Sequence, residues 1–297
     1  MIHQRFGGQW TDKKLECLRR YLMSYMRIMK GNERARFFTT NYVDAFAGSG
    51  YISNKNEGSG EVIPLPGLEE DQNGESLKKG SPCIALEIDP PFDKYIFIEK
   101  NPKNIIELSS LKTQYPNRNI DIIQGDANKF LAQWCSDTDW VRNRAVVFLD
   151  PFGMQIDWPL LECIAKTKSI DLWLLVPLGV GLVRMLTKKD LPNSEWAEKI
   201  TMFLGTDEWK KVLYETKNAP TLFGVEECIS RVEDFMKIGD YVIDRLKSIF
   251  FAVSSRPLVL LNSKNNPIYL FVFAAGNEKG SKPAISIADY LINQMNN

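Results

Sequence analysis

The chain has 297 residues, with 37 basic and 37 acidic side chains, one histidine and five cysteines. No apolar run approaches the ~18–20 residues that span a bilayer, and the first residues are too polar for a signal peptide. The cysteines form no CxxC pair, which argues against a disulfide framework and a zinc site. A single histidine disfavours metalloproteases, zinc deaminases and Ser-His-Asp hydrolases. We expect a reduced, cytoplasmic protein with no metal and no membrane partner.

The first 36 residues are basic, although the whole chain is neutral. They hold nine Lys or Arg and three acids, a net charge of +6, which residues 37–297 balance. A helix is predicted from Thr11, as its cap, to about Lys30, because leucines and methionines recur there at spacings of three and four. The basic side chains fall largely off this apolar stripe. They form either a nucleic-acid surface beside the mouth of a site or a solvated helix face.

Beyond this segment, short apolar runs alternate with helical patterns. The apolar runs end in polar, glycine or proline residues and occupy 39–50, 93–102, 119–128, 144–153 and 169–179. The helical patterns occupy 104–115, 128–137 and 158–167. This alternation predicts a parallel sheet covered on both faces, with ligands bound beyond the carboxyl ends of its strands. Two last strands, 250–262 and 266–276, predict an antiparallel hairpin.

Two stretches interrupt the alternation. Residues 51–81 are nearly empty of large apolar side chains and predict a mobile insertion after the first strand. Residues 185–247 are charged and predict a helical insert. The first insertion also explains why Gly50 and Glu99 lie 49 positions apart, when a glycine loop and its acid are usually ~20 residues apart in dinucleotide folds. Pro82 then marks the first turn of a delayed crossover helix.

The strand ends carry the candidate chemistry. The first strand ends in Asp44-Ala-Phe-Ala-Gly-Ser-Gly50, whose small residues let the backbone approach a ligand. This loop lacks the GxGxxG of nicotinamide-dependent oxidoreductases and the Lys-Ser/Thr of a P-loop. Glu99 ends the second strand, where a carboxylate can accept both hydroxyls of a ribose. Asp126 ends the third, near the position of an adenine amino group, and Asp150-Pro-Phe-Gly153 ends the fourth. Any one of these acids is more often a helix cap or a solvated turn, but four in order form a stronger signal.

This series resembles the class I methyltransferases that use S-adenosylmethionine (SAM). More closely, the segments FGGQWTDKKLECLRRYL, YVDAFAGSG, GSPCIAL, FIEKNP, GDAN and FLDPFG are similar to the three-Cys-motif partner protein (TcmP) family, from Phe6 to about Leu178. The resemblance implies a Rossmann-like α/β fold with a mostly parallel seven-stranded sheet, a C-terminal antiparallel hairpin and a helical insert. Residues 37–297 would form this methyltransferase domain. The resemblance also implies SAM as cofactor and a radical-SAM-like partner that bears the three cysteines.

The same resemblance assigns roles to residues. The cofactor residues are Asp44, Phe46, Ala47, Gly48, Gly50, Glu99, Asp126 and Ala127, and the catalytic residues are Asp150, Pro151 and Phe152. Asp-Pro-Phe-Gly resembles the Asp-Pro-Pro-Tyr motif of amino methyltransferases and matches that of tRNA guanine N2-dimethyltransferases. The Asp150 carboxylate and the Pro151 carbonyl would accept the two N–H groups of an exocyclic amine and direct its lone pair. Phe152 would stack on the extruded base.

The sequence therefore predicts a SAM-dependent N-methyltransferase that acts on an exocyclic amine of a nucleic-acid base, in DNA or RNA. Two alternatives stay open. One is methylation of a small molecule or a peptide. The other is a SAM-binding partner subunit that transfers no methyl group, against which the intact Asp150-Pro151-Phe152 argues. On this interpretation the partner of the Asp150 side chain is the substrate.

Overall fold

A central sheet with helices on both faces organises the chain, of which the computed structural model describes residues 9–52, 78–221, 224–232 and 234–296. The strands are β1 Thr39–Asp44, β2 Tyr51–Ile52, β3 Lys78–Lys79, β4 Lys94–Glu99, β5 Ile120–Gln124, β6 Asn143–Leu149, β7 Ile170–Val176, β8 Tyr214–Thr221, β9 Gly224–Arg231, β10 Ala252–Val253, β11 Leu258–Leu261 and β12 Pro267–Ala275. The helices are α1 Gln9–Gly31, α2 Ser81–Leu86, α3 Pro102–Gln114, α4 Ala127–Asp137, α5 Trp158–Lys166, α6 Val183–Met185, α7 Ser194–Leu204, α8 Trp209–Val212, α9 Phe235–Lys247 and α10 Glu278–Asn296. A π-helical turn, Leu178–Leu182, precedes α6. In the described part of the chain, no helix combines the length and apolar content needed to cross a membrane.

The strand order of the main sheet is β5-β4-β1-β6-β7-β12-β10, and β11 also pairs with β12. The first five strands of this order are parallel to one another. Strand β12 is antiparallel to β7 and to both of its hairpin partners. The predicted fold class, a Rossmann-like and mostly parallel sheet with a C-terminal antiparallel hairpin, is confirmed.

The sheet has eight strands because the predicted strand 250–262 is divided. Strands β10 and β11 are separated by Ser254 to Pro257, where the Ser254 hydroxyl bonds to the Arg256 carbonyl at 3.0 Å. Pro257 has no N–H group to donate to a ladder. The chain therefore leaves the sheet briefly and returns to the same partner, β12, so the predicted C-terminal antiparallel hairpin is preserved.

Each face of the sheet has its own hydrophobic core. Alternate residues of one strand point to opposite faces, so Phe148 belongs to one core and Val147 to the other. Helices α1, α2, α3 and α10 cover the first face, and α4, α5, α7 and α9 cover the second. Because both faces are buried, the strands are apolar nearly throughout, and burying each large side chain contributes about 1.5–3 kcal/mol.

Helix α1 runs antiparallel to the parallel strands and begins at their carboxyl ends. The predicted apolar stripe is buried and comprises Leu15, Leu18, Leu22, Met26 and Met29. At the far end, the Lys30 ammonium lies 2.7 Å from the carboxylate of Asp93, which precedes β4. The helix begins at Gln9, so the prediction that Thr11 caps it is wrong. Nothing in Gln9 or Trp10 breaks a helix, and Thr11 instead lies buried within the first turn.

The two ends of the insertion after β1 lie next to each other. Strands β2 and β3 pair at its two ends, and the Gly80 N–H donates to the Gly50 carbonyl at 2.9 Å. A Cβ at Gly80 would lie 2.9 Å from that oxygen, so this approach requires glycine. Helix α2 follows, with Pro82 in its first turn as predicted. Because β4 still lies beside β1, Glu99 keeps its predicted place, and the predicted mobility of 51–81 falls mostly on residues 53–77, outside the described residues.

The predicted helical insert, 185–247, contains helices α7, α8 and α9. It also contains an antiparallel hairpin of β8 and β9, where the helical prediction is wrong. The hairpin sequence includes Thr216, Pro220 and Val225, and β-branched residues and proline suit a strand better than a helix interior.

Candidate active site at the carboxyl edge of the sheet

The loops that follow β1, β4, β5 and β6 meet at one edge of the sheet and are joined by backbone hydrogen bonds. The Ala47 N–H donates to the Ile98 carbonyl at 3.0 Å, which fixes the glycine loop against the end of β4. The Gly125 N–H donates to the Glu99 carbonyl at 3.0 Å and joins β4 to the next loop. The three predicted cofactor segments therefore lie side by side.

The glycine loop leaves room for a ligand on one side. Gly48 and Gly50 have positive φ angles of 60° and 85°, which side chains rarely adopt. A Cβ at Gly48 would meet no atom of the described chain within 4 Å, whereas one at Gly50 would press on Leu111 at 3.0 Å. Phe46 is half-buried against the second core and Ala47 is buried. Gly50 thus packs inward, and Gly48 leaves open space beside the backbone.

Asp44 ends β1 and is completely buried. Its Oδ1 accepts from the Phe46 N–H at 3.3 Å. The Ser81 hydroxyl lies near enough to favour the ionised carboxylate, but no described residue completes a well-directed hydrogen bond to Oδ2. Burial is the main cause that raises the pKa of Asp44 to about 7; the charge of Asp150 contributes to the rise, and that of Lys14 opposes it. Asp44 is therefore in electrostatic reach of the catalytic candidates.

Glu99 and Asp126 each use one carboxylate oxygen locally. Glu99 Oε1 accepts from the Asn101 N–H at 2.6 Å. Asp126 caps α4, because its Oδ1 accepts from the Lys129 N–H at 3.2 Å. Within the described chain, no partner reaches the second oxygen of either acid. The helix-cap interpretation of Asp126 is thus correct for one oxygen, and a free acceptor remains on each carboxylate.

Asp150 forms an ion pair with Lys14 from α1. Lys14 Nζ lies 2.5 Å from Asp150 Oδ2, and the exposed fractions of the two side chains are 4% and 26%. Asp150 Oδ1 and the Pro151 carbonyl receive no hydrogen bond from a described residue. The expectation that the substrate is the partner of Asp150 is therefore wrong for one oxygen, because a buried cation already occupies it. The other oxygen has no described partner.

Aromatic side chains surround this ion pair. Lys14 Nζ lies 5.3 Å from the centre of the Trp10 ring and 5.8 Å from that of Phe148. The Trp10 ring in turn lies 5.0 Å from that of Tyr269, at the start of β12. Burial raises the pKa of Tyr269, and the negative charge of Asp150 raises it further. Phe152 is 72% exposed, although Pro151 beside it is buried.

Asn128 connects the loop after β5 to the loop after β6. Its Nδ2 donates to the Gln155 carbonyl at 2.8 Å, and its Oδ1 accepts from the Asp157 N–H at 3.1 Å. Gly153, with φ of 84°, turns the chain between Phe152 and these contacts. Asn128 therefore holds the Asp150-Pro-Phe-Gly loop against α4, whose first residue, Ala127, is buried.

The structure thus brings all the predicted site residues to one edge and adds Lys14, Tyr269 and Asn128. The sequence held a signal for Lys14. It precedes Leu18 and Leu22 at spacings of four, so it shares their buried helix face, where a charged residue needs a partner. No comparable signal marks Tyr269, because its place depends on the pairing of β12 with β7.

Comparison with known proteins identifies a solved structure of similar fold. No protein-family model matches the sequence, and no curated protein matches it, so the resemblance to TcmP stays a prediction. The solved structure of LPL1258 from Legionella pneumophila, described by family-model DUF519, is 14% identical over 98% of this chain and 94% of that chain, with a TM-score of 0.50. This likeness shows a shared fold and no more.

Two further solved structures are more distant. One is a SAM-dependent methyltransferase from Clostridium acetobutylicum, 10% identical over 90% of this chain and 92% of that chain, with a TM-score of 0.34. The other is the N-terminal domain of EvdMO1 with SAH bound, 10% identical over 86% and 79%, with a TM-score of 0.38. At these scores the likeness carries no argument about this chain.

Proposed function

We propose that this chain is a SAM-dependent methyltransferase that modifies an exocyclic amine of a nucleic-acid base. The observation that carries the proposal is the pattern of carboxylates at the sheet edge. Each of Glu99, Asp126 and Asp150 has one oxygen engaged by a protein donor and one without a described partner. Three ordered acids with three remaining acceptors suit a ligand rich in N–H and O–H donors.

The residues present fit SAM. The open side of Gly48 permits close approach to the backbone, as the methionine portion requires. Glu99 would accept hydroxyl donors of the ribose, and Asp126 would accept the adenine amino group. The buried carboxylate of Asp44 lies behind the glycine loop, with Oδ2 unsatisfied. When bound, the cofactor supplies an electrophilic methyl group on a sulfonium.

The catalytic residues would act on the acceptor nitrogen. The lone pair of an exocyclic amine is delocalised into its base, so the nitrogen is a poor nucleophile. Asp150 Oδ1 and the Pro151 carbonyl are the two acceptors that would take its N–H groups. Accepting both would favour a more tetrahedral nitrogen and direct its lone pair, a contribution of orientation and preorganised electrostatics. No histidine is needed for this role.

Lys14 would hold Asp150 for that task. Its ammonium engages Oδ2 at 2.5 Å and leaves Oδ1 free. The ion pair fixes which of the two carboxylate oxygens faces the protein and which faces the site. Because Lys14 is anchored on a helix packed against the sheet, the carboxylate keeps one orientation before substrate arrives.

Phe152 supports a base as the acceptor. An aromatic ring that is mostly exposed beside two amine acceptors offers a surface for stacking. Stacking of a nucleic-acid base on an aromatic side chain is worth about 1–3 kcal/mol. A three-Cys-motif partner rests on the sequence resemblance and remains part of the proposal, and both DNA and RNA stay open as the substrate.

Incubation with SAM carrying an isotopically labelled methyl group tests the proposal. Total RNA and DNA are offered separately, digested, and examined by nucleoside mass spectrometry. We expect labelled methyladenine, methylcytosine or methylguanine with the wild-type chain and its formation at a rate lower by about 10²–10³-fold with Asp150→Asn. Binding of SAM without label in any nucleoside, peptide or metabolite fraction would instead identify a SAM-binding subunit.

A further inference from the structure

A groove of about 500 Å³ lies between α1 and α10, on the outer surface of the first core. The two helices are antiparallel, because the Lys13 ammonium at the start of α1 donates to the Met295 carbonyl at the end of α10, at 3.2 Å. Three arginines of α1 line the groove: Arg19, Arg20 and Arg27. This groove is separate from the catalytic loops but begins on the same helix that supplies Lys14.

The groove is positively charged along its length. Arg19 binds Glu16 through two 2.8 Å contacts, whereas Arg20 and Arg27 form no ion pair with a described residue. No acidic residue lines the groove in the part of the chain that the structure describes. Eight residues of α-helix rise about 12 Å, so the arginines are spread far enough to contact successive phosphates of one strand. Guanidinium groups also match phosphate oxygens in a bidentate geometry.

The opposite wall of the groove offers an aromatic ring. Tyr290 of α10 is 56% exposed and lines the groove together with Ser286. Its hydroxyl accepts from Gln294 Nε2 at 2.5 Å, which restrains the ring. An exposed ring facing a row of arginines suits a ligand that carries both phosphates and flat bases. An acidic peptide would use the charges but leave the ring without a counterpart.

The position of the groove relates it to the catalytic loops. Arg19 follows Lys14 by five residues, about 7.5 Å along the helix axis. Lys14 faces the sheet, whereas the arginines face outward. A strand that leaves the Asp150 loop at the start of α1 therefore meets Arg19 and Arg20 first and Arg27 last. The charges continue away from the site in the direction of the sheet's amino ends.

We propose that the α1–α10 groove binds a single-stranded segment next to the target base, with phosphates on the arginines and one base on Tyr290. This inference rests on the proposed function, since it places the flanking nucleotides of the same substrate. It identifies the substrate as a polynucleotide and not a free nucleoside. It also predicts that affinity depends on salt through α1.

Two variants of the full chain test the groove, and a third serves as control. Arg19→Gln/Arg20→Gln/Arg27→Gln removes the charges, and Tyr290→Leu removes only the ring. The control, Lys166→Gln/Lys199→Gln/Lys247→Gln, makes the same change of charge on helices of the opposite face. Fluorescence anisotropy with labelled single-stranded RNA and DNA of mixed sequence gives the Kd over a range of salt concentrations. SAM affinity, measured by calorimetry, reports whether each variant is folded.

The arginine variant should raise Kd roughly tenfold and reduce the salt slope by up to about 2, at ~0.7 per phosphate contact on a single strand. Tyr290→Leu should raise Kd at least several-fold with the slope unchanged. Similar Kd values for RNA and DNA fit the proposal, and a lower Kd for one of them would identify it as the preferred substrate. The groove assignment is overturned if the control weakens binding equally, if Tyr290→Leu has no effect, or if polyglutamate competes as well as oligonucleotide.

The two proposals fail in different ways. A wild-type chain that methylates a base while the arginine variant binds the oligonucleotides unchanged would overturn the groove and leave the enzyme. A wild-type chain that binds SAM but neither oligonucleotide would overturn both the groove and the polynucleotide substrate. Loss of methyl transfer to the polynucleotide with retained SAM affinity, in the arginine variant alone, supports the groove.

Discussion

Lys14 Nζ and Asp150 Oδ2 lie 2.5 Å apart, although 136 positions separate the two residues in the chain. The contact joins the basic N-terminal helix to the loop after β6. A division of the chain at residue 36 would therefore separate the two members of this ion pair, so the segment before residue 36 is part of the candidate site. The helix is held in register by its buried stripe and by the hydrogen bond that Tyr21 donates to Asp171.

Lys14→Met is expected to lower methyl transfer about 10- to 100-fold, because Asp150 loses the cation that orients it. It should also cost about 1–3 kcal/mol of stability, since Asp150 is only partly able to regain water. SAM affinity should stay near that of wild type. Turnover, calorimetry and urea unfolding on one preparation give all three quantities.

Two further variants separate positioning from packing. The double variant Lys14→Met/Asp150→Asn should be no slower than Asp150→Asn alone, because the lysine acts through the carboxylate. Lys14→Arg keeps the charge and should recover part of the activity. If the loss of turnover in the double variant, expressed as free energy, equals the sum of the losses in the two single variants, Lys14 acts independently of Asp150.

Asp150→Asn is expected to lower turnover about 10²–10³-fold, as losing one preorganised electrostatic contact does. The substitution leaves the Lys14 ammonium buried without its carboxylate, so a moderate loss of stability should accompany it. Melting temperature alone is therefore a poor discriminator for this residue. Asp121→Asn breaks an exposed ion pair with Lys94 and serves as control. An Asp150→Asn chain with wild-type turnover per folded molecule would remove the residue from catalysis.

Phe152→Ala should weaken capture of the substrate by about 1–3 kcal/mol through lost stacking, and should reduce turnover as well. Phe152→Tyr should be tolerated, because the ring is preserved and mostly exposed. Phe37→Ala removes another exposed phenylalanine, 78% exposed near the start of β1, and should change neither quantity. The KM and kcat of all three variants decide the matter, and an unchanged KM for Phe152→Ala would contradict stacking.

Much of the fold was predictable because it depends on local patterns. Strands buried on both faces are apolar throughout, so runs such as 144–153 indicate parallel strands without ambiguity. Pro82 marked the start of α2 for a similar local reason. The hairpin of β8 and β9 was missed because charged residues interrupt both strands and conceal the strand pattern. The predicted strand 250–262 is interrupted at Ser254 to Pro257. Proline lacks an N–H group, and whether this interrupts a strand depends on whether the neighbouring strand needs that donor, which the sequence does not show.

The candidate site was predictable where residues follow strands in order, and not where distant elements meet. Asp44, Glu99, Asp126 and Asp150 each sit at the carboxyl end of a parallel strand, so topology alone brings them together. Lys14 and Tyr269 reach the same place from a helix before the sheet and from an antiparallel strand near the end of the chain. Their positions depend on how these elements pack, which no local pattern records.

Glu99→Ala is expected to weaken SAM binding by about 1–3 kcal/mol, the loss of a charge-assisted pair of hydrogen bonds. The variant also removes the acceptor of the Asn101 N–H, so some loss of stability at the start of α3 should be seen. Glu107→Ala, an exposed acid on that helix, is the matched control. Calorimetric affinities that agree between the two variants would place the ribose elsewhere.

Asp171 gives the fold a pH dependence that can be tested without any ligand. Burial raises the pKa of Asp171 to about 7, although the hydrogen bond from Tyr21 and the charge of Arg144 oppose the rise. The unfolded chain releases this proton near pH 3.9. Between about pH 4 and 7 the unfolded state therefore binds fewer protons than the folded state, and stability falls as pH rises. Above pH 7 both states are ionised and this group adds no further change.

Asp171→Asn should remove this group's loss of folding stability between about pH 4 and 7. It keeps an acceptor for the Tyr21 hydroxyl, which lies 2.7 Å from the carboxylate. The variant should match wild type near pH 4 and exceed it by up to about 4 kcal/mol near pH 7. Part of the slope should persist, because burial raises the pKa of Asp44 in the same direction. Urea unfolding across this range measures the effect, with the exposed Asp207→Asn as control. A variant whose stability keeps the full wild-type slope would mean that Asp171 is already ionised in the fold, and that the buried charge is held by Arg144 and Tyr21 together.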